Sequence, residues 1–149
     1  MKFQKRRLSF FHLTAVMMLI LTAFSAYAND IVFVINKDVK TDKVTREELR
    51  DMFLGNISVW PDQQKVNFVT LGDPETHKTF VRAYIRKTES QFQAWWKRRL
   101  FTGTGKVPLK FKSEQDVIDY VARTEGGLGY VSSKAAIGGT VKILTVTDN

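Results

Sequence analysis

The chain has 149 residues, 44% of them hydrophobic and 26% charged, a balance that excludes a disordered tail, a collagen or a large multidomain assembly and points to one compact domain. Lysine and arginine outnumber the acids 23 to 15, for a formal net charge of +8. Half of that excess lies in residues 1–28, which carry Lys2, Lys5, Arg6 and Arg7 and no acid.

This N-terminal segment has three parts. A basic stretch from Lys2 to Arg7 is followed by an apolar run through Leu13 and Ala15 to Leu21, and then by Ala26-Tyr27-Ala28 ahead of the polar pair Asn29-Asp30. That is the layout of a secretory signal peptide with a small-x-small cleavage site, so cleavage is expected after Ala28 and the mature protein in the periplasm. An uncleaved anchor fits less well, because His12, Thr14 and Thr22 interrupt a run already shorter than the roughly 20 apolar residues of a spanning helix. Arg6-Arg7 lacks most of the twin-arginine pattern, which favours the general secretory route.

Residues 29–149 are enough for an independent core. They contain no cysteine; in an oxidising compartment the fold then rests on packing, and thiol catalysis, cysteine-attached haem and cysteine-ligated zinc are excluded. His77 is the single histidine after the leader, so neither a metal nor a cofactor is expected.

In chain order, Ile31-Val32-Phe33-Val34-Ile35 is an unbroken β-branched and aromatic run, the pattern of a strand buried on both faces. Thr45-Arg46-Glu47-Glu48 is a capping box, Leu49, Met52 and Phe53 recur at helical spacing, and Gly55 supplies a left-handed stop. Trp60-Pro61-Asp62 reads as a turn and residues 66–69 as a strand. Asp73-Pro74-Glu75 opens a helix whose Phe80, Val81, Tyr84 and Ile85 share an apolar face. A further helix over residues 90–100 puts Phe92, Trp95, Trp96 and Leu100 on or near one side, with Lys97, Arg98 and Arg99 displaced toward solvent. Ser113-Glu114-Gln115-Asp116 starts another helix, Gly126-Gly127 ends it, and residues 128–131 and 141–146 read as strands. The alternation predicts an α/β fold with parallel pairings and helices flanking the sheet.

No constellation reads as an active site. Gly103-Thr104-Gly105-Lys106 has the wrong glycine spacing for a phosphate loop and no hydroxyl residue after the lysine, so it reads as a plain loop. Asp73, Glu75 and His77 lie close in sequence, yet carboxylates at a helix start favour the helix dipole without catalysis, and a lone exposed histidine is common. Thr76, Lys78 and Thr79, with the amides of that first turn, form an oxyanion candidate, opposed by the charges of Asp73 and Glu75. Trp95-Trp96-Lys97-Arg98-Arg99 interleaves aromatics with cations as single-strand nucleic-acid platforms do. Export argues against nucleic acid, which leaves Lys97, Arg98 and Arg99 as a solvated basic face or a surface for an anionic membrane or an acidic protein.

Taken together, Glu48-Leu49-Arg50-Asp51-Met52-Phe53-Leu54-Gly55 followed by Trp60, Phe80 in a helix, Trp96, Phe101-Thr102-Gly103, and Gly126-Gly127-Leu128-Gly129-Tyr130-Val131 resemble the second half of the PstS-like phosphate-binding proteins that serve ABC transporters, of the type 2 periplasmic binding fold. The resemblance covers about 31–146. It implies one lobe of that fold, an about five-stranded mixed sheet flanked by helices, with a non-enzymatic solute-binding role. It also implies a ligand site around Asp73, Thr76, Lys78 and Thr79, a phosphate or other oxyanion as ligand, and a membrane transporter or receptor as partner. Where the family carries Arg-x-Asp-Gly-Ser-Gly-Thr, this chain has Leu71-Gly72-Asp73-Pro74-Glu75-Thr76 and then His77-Lys78-Thr79. The guanidinium and the glycines that let backbone approach an anion are missing, and the first lobe is expected to be absent, so weak capture is expected. An alternative is an interaction or sensor module that has lost its ligand and docks on a membrane protein. A lobe without its mate exposes surface, and a homodimer is the expected way to cover it.

Overall fold

The buried run Ile31–Ile35 becomes the middle of a six-stranded sheet. The computed structural model describes residues 30–148, so the expected leader and its cleavage site lie outside the described residues. The elements run β1 (Ile31–Ile35), β2 (Lys43–Thr45), α1 (Arg46–Phe53), β3 (Asn67–Leu71), α2 (Pro74–Phe80), a π-helical turn (Val81–Ile85), α3 (Glu89–Phe101), β4 (Leu109–Phe111), α4 (Glu114–Arg123), β5 (Gly127–Ser132) and β6 (Lys142–Thr147). The sheet order is β2-β6-β1-β5-β3-β4.

β1 is antiparallel to both its neighbours, with Phe33 opposite Tyr130 of β5 and Leu144 of β6. β3 runs parallel to β5 and to β4, and β2 runs parallel to β6. The sheet is therefore mixed, with helices packed against it, as an α/β reading requires. It has two strands that the pattern did not single out. β2 and β4 have three residues each, too few for an alternation to register, and each forms an edge.

Local chemistry sets the helix limits. Thr45 accepts from the Glu48 amide while Glu48 Oε2 accepts from the Thr45 amide at 2.8 Å, closing the capping box of α1. Gly55 follows the end of α1 with φ at 72°, the left-handed value that glycine adopts without strain. A second capping box, Thr88 with Gln91, starts α3. The carbonyl end of α4 is closed from outside the helix, where Asn36 Nδ2 donates to Val121 and Ala122 at 3.0 Å.

The core is aromatic at its centre. Phe80 stacks on Tyr130 with centroids 3.9 Å apart, Phe53 meets Phe80 edge-on at 4.7 Å, and Tyr84 meets Phe33 edge-on at 4.7 Å. Trp60 is fully buried and its Nε1 donates to Gly126 O at 3.0 Å. A Cβ on Gly126, which has φ at 64°, would lie 1.9 Å from Lys65 O, so only glycine fits where α4 returns to the sheet.

One expected core residue is not in the core. Leu100 is 50% exposed, because it belongs to the last turn of α3, past Phe92 and Trp96, which are the residues of that helix that pack inward.

Candidate functional site

Asp73 lies two residues past the end of β3, so the sheet delivers it to the C-terminal end of a parallel strand, where open α/β sheets present ligands. It is the N-cap of α2, and its Oδ1 accepts from the Thr76 amide at 2.9 Å. Hydrogen bonds from the Thr76 side chain and amide hold the Asp73 carboxyl below the usual carboxylate range. Gly72, just before it, donates to Phe111 O at 2.6 Å and ties this turn to β4.

The four candidate residues are not gathered at one point. Asp73 and Thr76 meet, with Asp73 exposed and Thr76 buried. Lys78 lines a neighbouring open concavity of about 360 Å3, together with Arg82, Thr88, Glu89, Ser90 and Gln93. Thr79 is half-buried on α2 and shares no hydrogen bond with the other three among the described residues. Pro74 has no amide hydrogen and that of Thr76 is taken, so the Glu75 amide is the donor left in the first turn.

His77 corrects the expectation of an exposed histidine. It is buried, and its Nδ1 is hydrogen-bonded to Tyr130 Oη. Tyr130 Oη also accepts from the Leu71 amide at 3.2 Å. All three groups are satisfied when the Tyr130 hydrogen points at Nδ1, which leaves the imidazole neutral with its proton on Nε2. Burial, with the Lys110 charge adding to it, holds His77 below its ordinary 6.5, and burial pushes the Tyr130 phenol above its ordinary value. The pair is a structural tie between α2, β3 and β5. Sequence reasoning missed it because 53 positions separate the two residues, and seven residues of α2 are too few for periodicity to tell its buried side.

The basic run on α3 divides. Lys97 and Arg98 are exposed, whereas Arg99 folds back. Its Nη2 donates to Gly55 O at 3.1 Å and Thr104 O at 3.3 Å, and its guanidinium lies 5.8 Å from the ring centroids of both Trp95 and Trp96. Gly105 lets the loop after α3 lie on the indole, since a Cβ there would come within 3.1 Å of Trp96 Cζ3. An open groove of about 490 Å3 runs over this floor, bounded by Lys65, Phe68, Arg99, Lys106 and Tyr120. A smaller concavity of about 240 Å3 adjoins Trp96 on the His77 side, with Thr70, Lys97 and Lys110 in its wall. The groove touches β3 at Asn67 and Phe68, the end of that strand opposite to Asp73. Among the described residues no group of three or more histidines or acids could hold a metal ion, and no helix is long and apolar enough to cross a membrane.

Comparison with known proteins places the fold. A family model described as a PBP superfamily domain matches residues 21–146. No curated protein sequence matches the chain. Among solved structures, PstS from Borrelia burgdorferi superposes with a TM-score of 0.61 at 21% identity, covering 78% of this chain and 47% of its own. An ABC-type phosphate transport receptor from Vibrio cholerae gives 0.59 at 16% identity, with 78% and 45% covered. A Clostridium perfringens protein solved with bound phosphate gives 0.60 at 14% identity, with 78% and 44% covered. The likeness shows the fold, an α/β domain of the type 2 periplasmic binding architecture. The chain spans less than half the length of each of these structures.

Proposed function

We propose that this chain, which belongs to the PBP superfamily, is an exported solute-binding domain that takes phosphate or a related oxyanion weakly and works beside an ABC-type transporter. The observation that carries this reading is the agreement of fold over 78% of the chain with phosphate receptors, one of them solved with phosphate bound. The ligand belongs at the start of α2, where the strand ends point and where Asp73, Thr76, Lys78 and Thr79 lie. Lys78 and Arg82 supply positive charge to a concavity along the same helix and the turn after it, which Glu89 also lines.

Physical chemistry makes the capture weak. Leu71 stands at the position of the family's arginine, and the Asp73 carboxylate already holds the Thr76 amide. A charge-assisted hydrogen bond contributes about 1.5–3 kcal/mol, so losing a guanidinium alone lowers affinity by roughly tenfold or more. Calorimetric titration of residues 29–149 with phosphate and with sulfate is the test. Saturable heat at millimolar ligand is expected, and no heat with either anion overturns the reading.

A second reading is an interaction module that docks on a membrane transporter or receptor, and the exposed Lys97 and Arg98 favour it. Periplasmic crosslinking should then recover one specific membrane protein, and recovery of none counts against it. Self-association is a separate expectation: on one face of the sheet, Ile143 is exposed beside half-buried Val32, apolar surface that a second copy would cover. Light scattering at high concentration is expected to give a dimer mass, and a strictly monomeric mass rejects it.

A further inference from the structure

Residues 90–113 carry six cations, Lys97, Arg98, Arg99, Lys106, Lys110 and Lys112, and no aspartate or glutamate. They make up most of α3, the loop after it and the edge strand β4, so the topology gathers this charge on one margin of the molecule. The same segment holds four of the six large hydrophobic side chains left open among the described residues. Leu100 is 50% exposed, Phe101 87%, Val107 53% and Leu109 55%. Helical spacing sets Lys97 beside Leu100 and Phe101, and Arg98 beside Phe101. Arg99 is the one cation of the run turned inward, over the tryptophans.

Apolar side chains this exposed call for a cover, and charge decides which. A second copy is a poor one, since a two-fold contact through this margin would set its cations against their own duplicates. The occupant has to be negative. Phe101 and Leu100 stand open at a helix end and line none of the grooves described above. Such a feature suits insertion into a yielding surface better than a fit to a rigid protein.

We propose that the end of α3, the loop that follows and β4 form a docking surface for an anionic phospholipid bilayer. Phe101 and Leu100 enter the boundary between headgroups and acyl chains, while Lys97, Arg98, Lys106 and Lys110 pair with the lipid phosphates. The proposal is independent of anion capture at Asp73. It would hold an exported domain at the membrane face where a transporter lies.

The test uses residues 29–149, which contain every described element, in sedimentation with vesicles of equal parts phosphatidylglycerol and phosphatidylcholine and with vesicles of phosphatidylcholine alone. Binding is expected to the anionic vesicles only and is released by added salt. Phe101→Ser lowers partitioning about tenfold. Lys97→Gln with Arg98→Gln lowers it roughly 25-fold, about fivefold for each cation. Lys43→Gln, on the opposite edge strand β2, leaves it unchanged. The substituted side chains are exposed, and unchanged thermal melts establish that the variants fold. Equal binding to uncharged vesicles, no binding to either, insensitivity to Phe101→Ser, or an equal loss with Lys43→Gln overturns the proposal. Retention on polyglutamate without binding to anionic vesicles also overturns it, in favour of an acidic protein partner.

Discussion

The hydroxyl of Tyr130 accepts from Leu71 and meets His77, so one atom joins β5, β3 and α2. Tyr130→Phe keeps the ring stacked on Phe80 but strands two buried polar groups, and is expected to lower stability by about 1–3 kcal/mol in urea unfolding. The same pair gives a pH dependence of defined sign. His77 is held below 6.5 in the folded state, so the unfolded chain binds a proton first as pH falls. Stability is then full above pH 6.5 and declines below it, a slope that His77→Gln removes. The urea midpoint between pH 8 and pH 5 measures it, and an equal slope in the variant contradicts this account. Asp73 is testable at the same scale. Asp73→Asn keeps a capping oxygen and removes a like charge from the proposed anion site, and phosphate should bind about fivefold tighter. What sequence could show of this site was which residues stand at the helix start. That Thr76 and His77 turn inward while Asp73 faces solvent depends on contacts with β3 and β5, which no local pattern encodes.

Elements announced by short-range chemistry were legible. The Thr45 to Glu48 box, the Asp73-Pro74 entry and the glycine stop at Gly55 each rest on contacts within a few residues, and each stands where expected. β2 and β4 were not legible. Lys43-Val44-Thr45 and Leu109-Lys110-Phe111 are strands only because β6 and β3 offer parallel partners, a tertiary cause without a local signature. The resemblance to a known family supplied what periodicity left open, a mixed sheet that combines those parallel pairings with antiparallel ones. At this scale Gly126→Ala is expected to cost more than about 3 kcal/mol, because it combines a positive φ with a Cβ placed against Lys65 O. Thr88→Ala, which opens the capping box of α3, should cost about 1 kcal/mol. Thermal or urea unfolding ranks the two, and a reversed order would contradict the reading of the α4 to β5 junction.

At the scale of the whole molecule, the described residues form one α/β domain whose sheet presents different chemistry at its two margins. At the β4 margin, cations mix with open apolar side chains. On one face of the β6 and β1 strands, Ile143 and Val32 give an uncharged apolar surface. The start of α2 lies at the C-terminal end of β3. The proposed ligand turn, membrane-facing margin and self-association surface therefore share no residues. Charge patterning in the sequence already separated the basic run from the rest. It did not reveal that Arg99 leaves that run to brace Trp95 and Trp96, since the partners Gly55 and Thr104 come from two different loops.

The most direct test of solute binding by this domain is a phosphate titration of isotopically labelled residues 29–149, followed by amide chemical shifts in nuclear magnetic resonance. The account predicts saturable shifts at millimolar phosphate that cluster from Gly72 to Thr79 and shrink when sulfate competes. Shifts absent from that turn, or confined to the groove over Trp96, would contradict it.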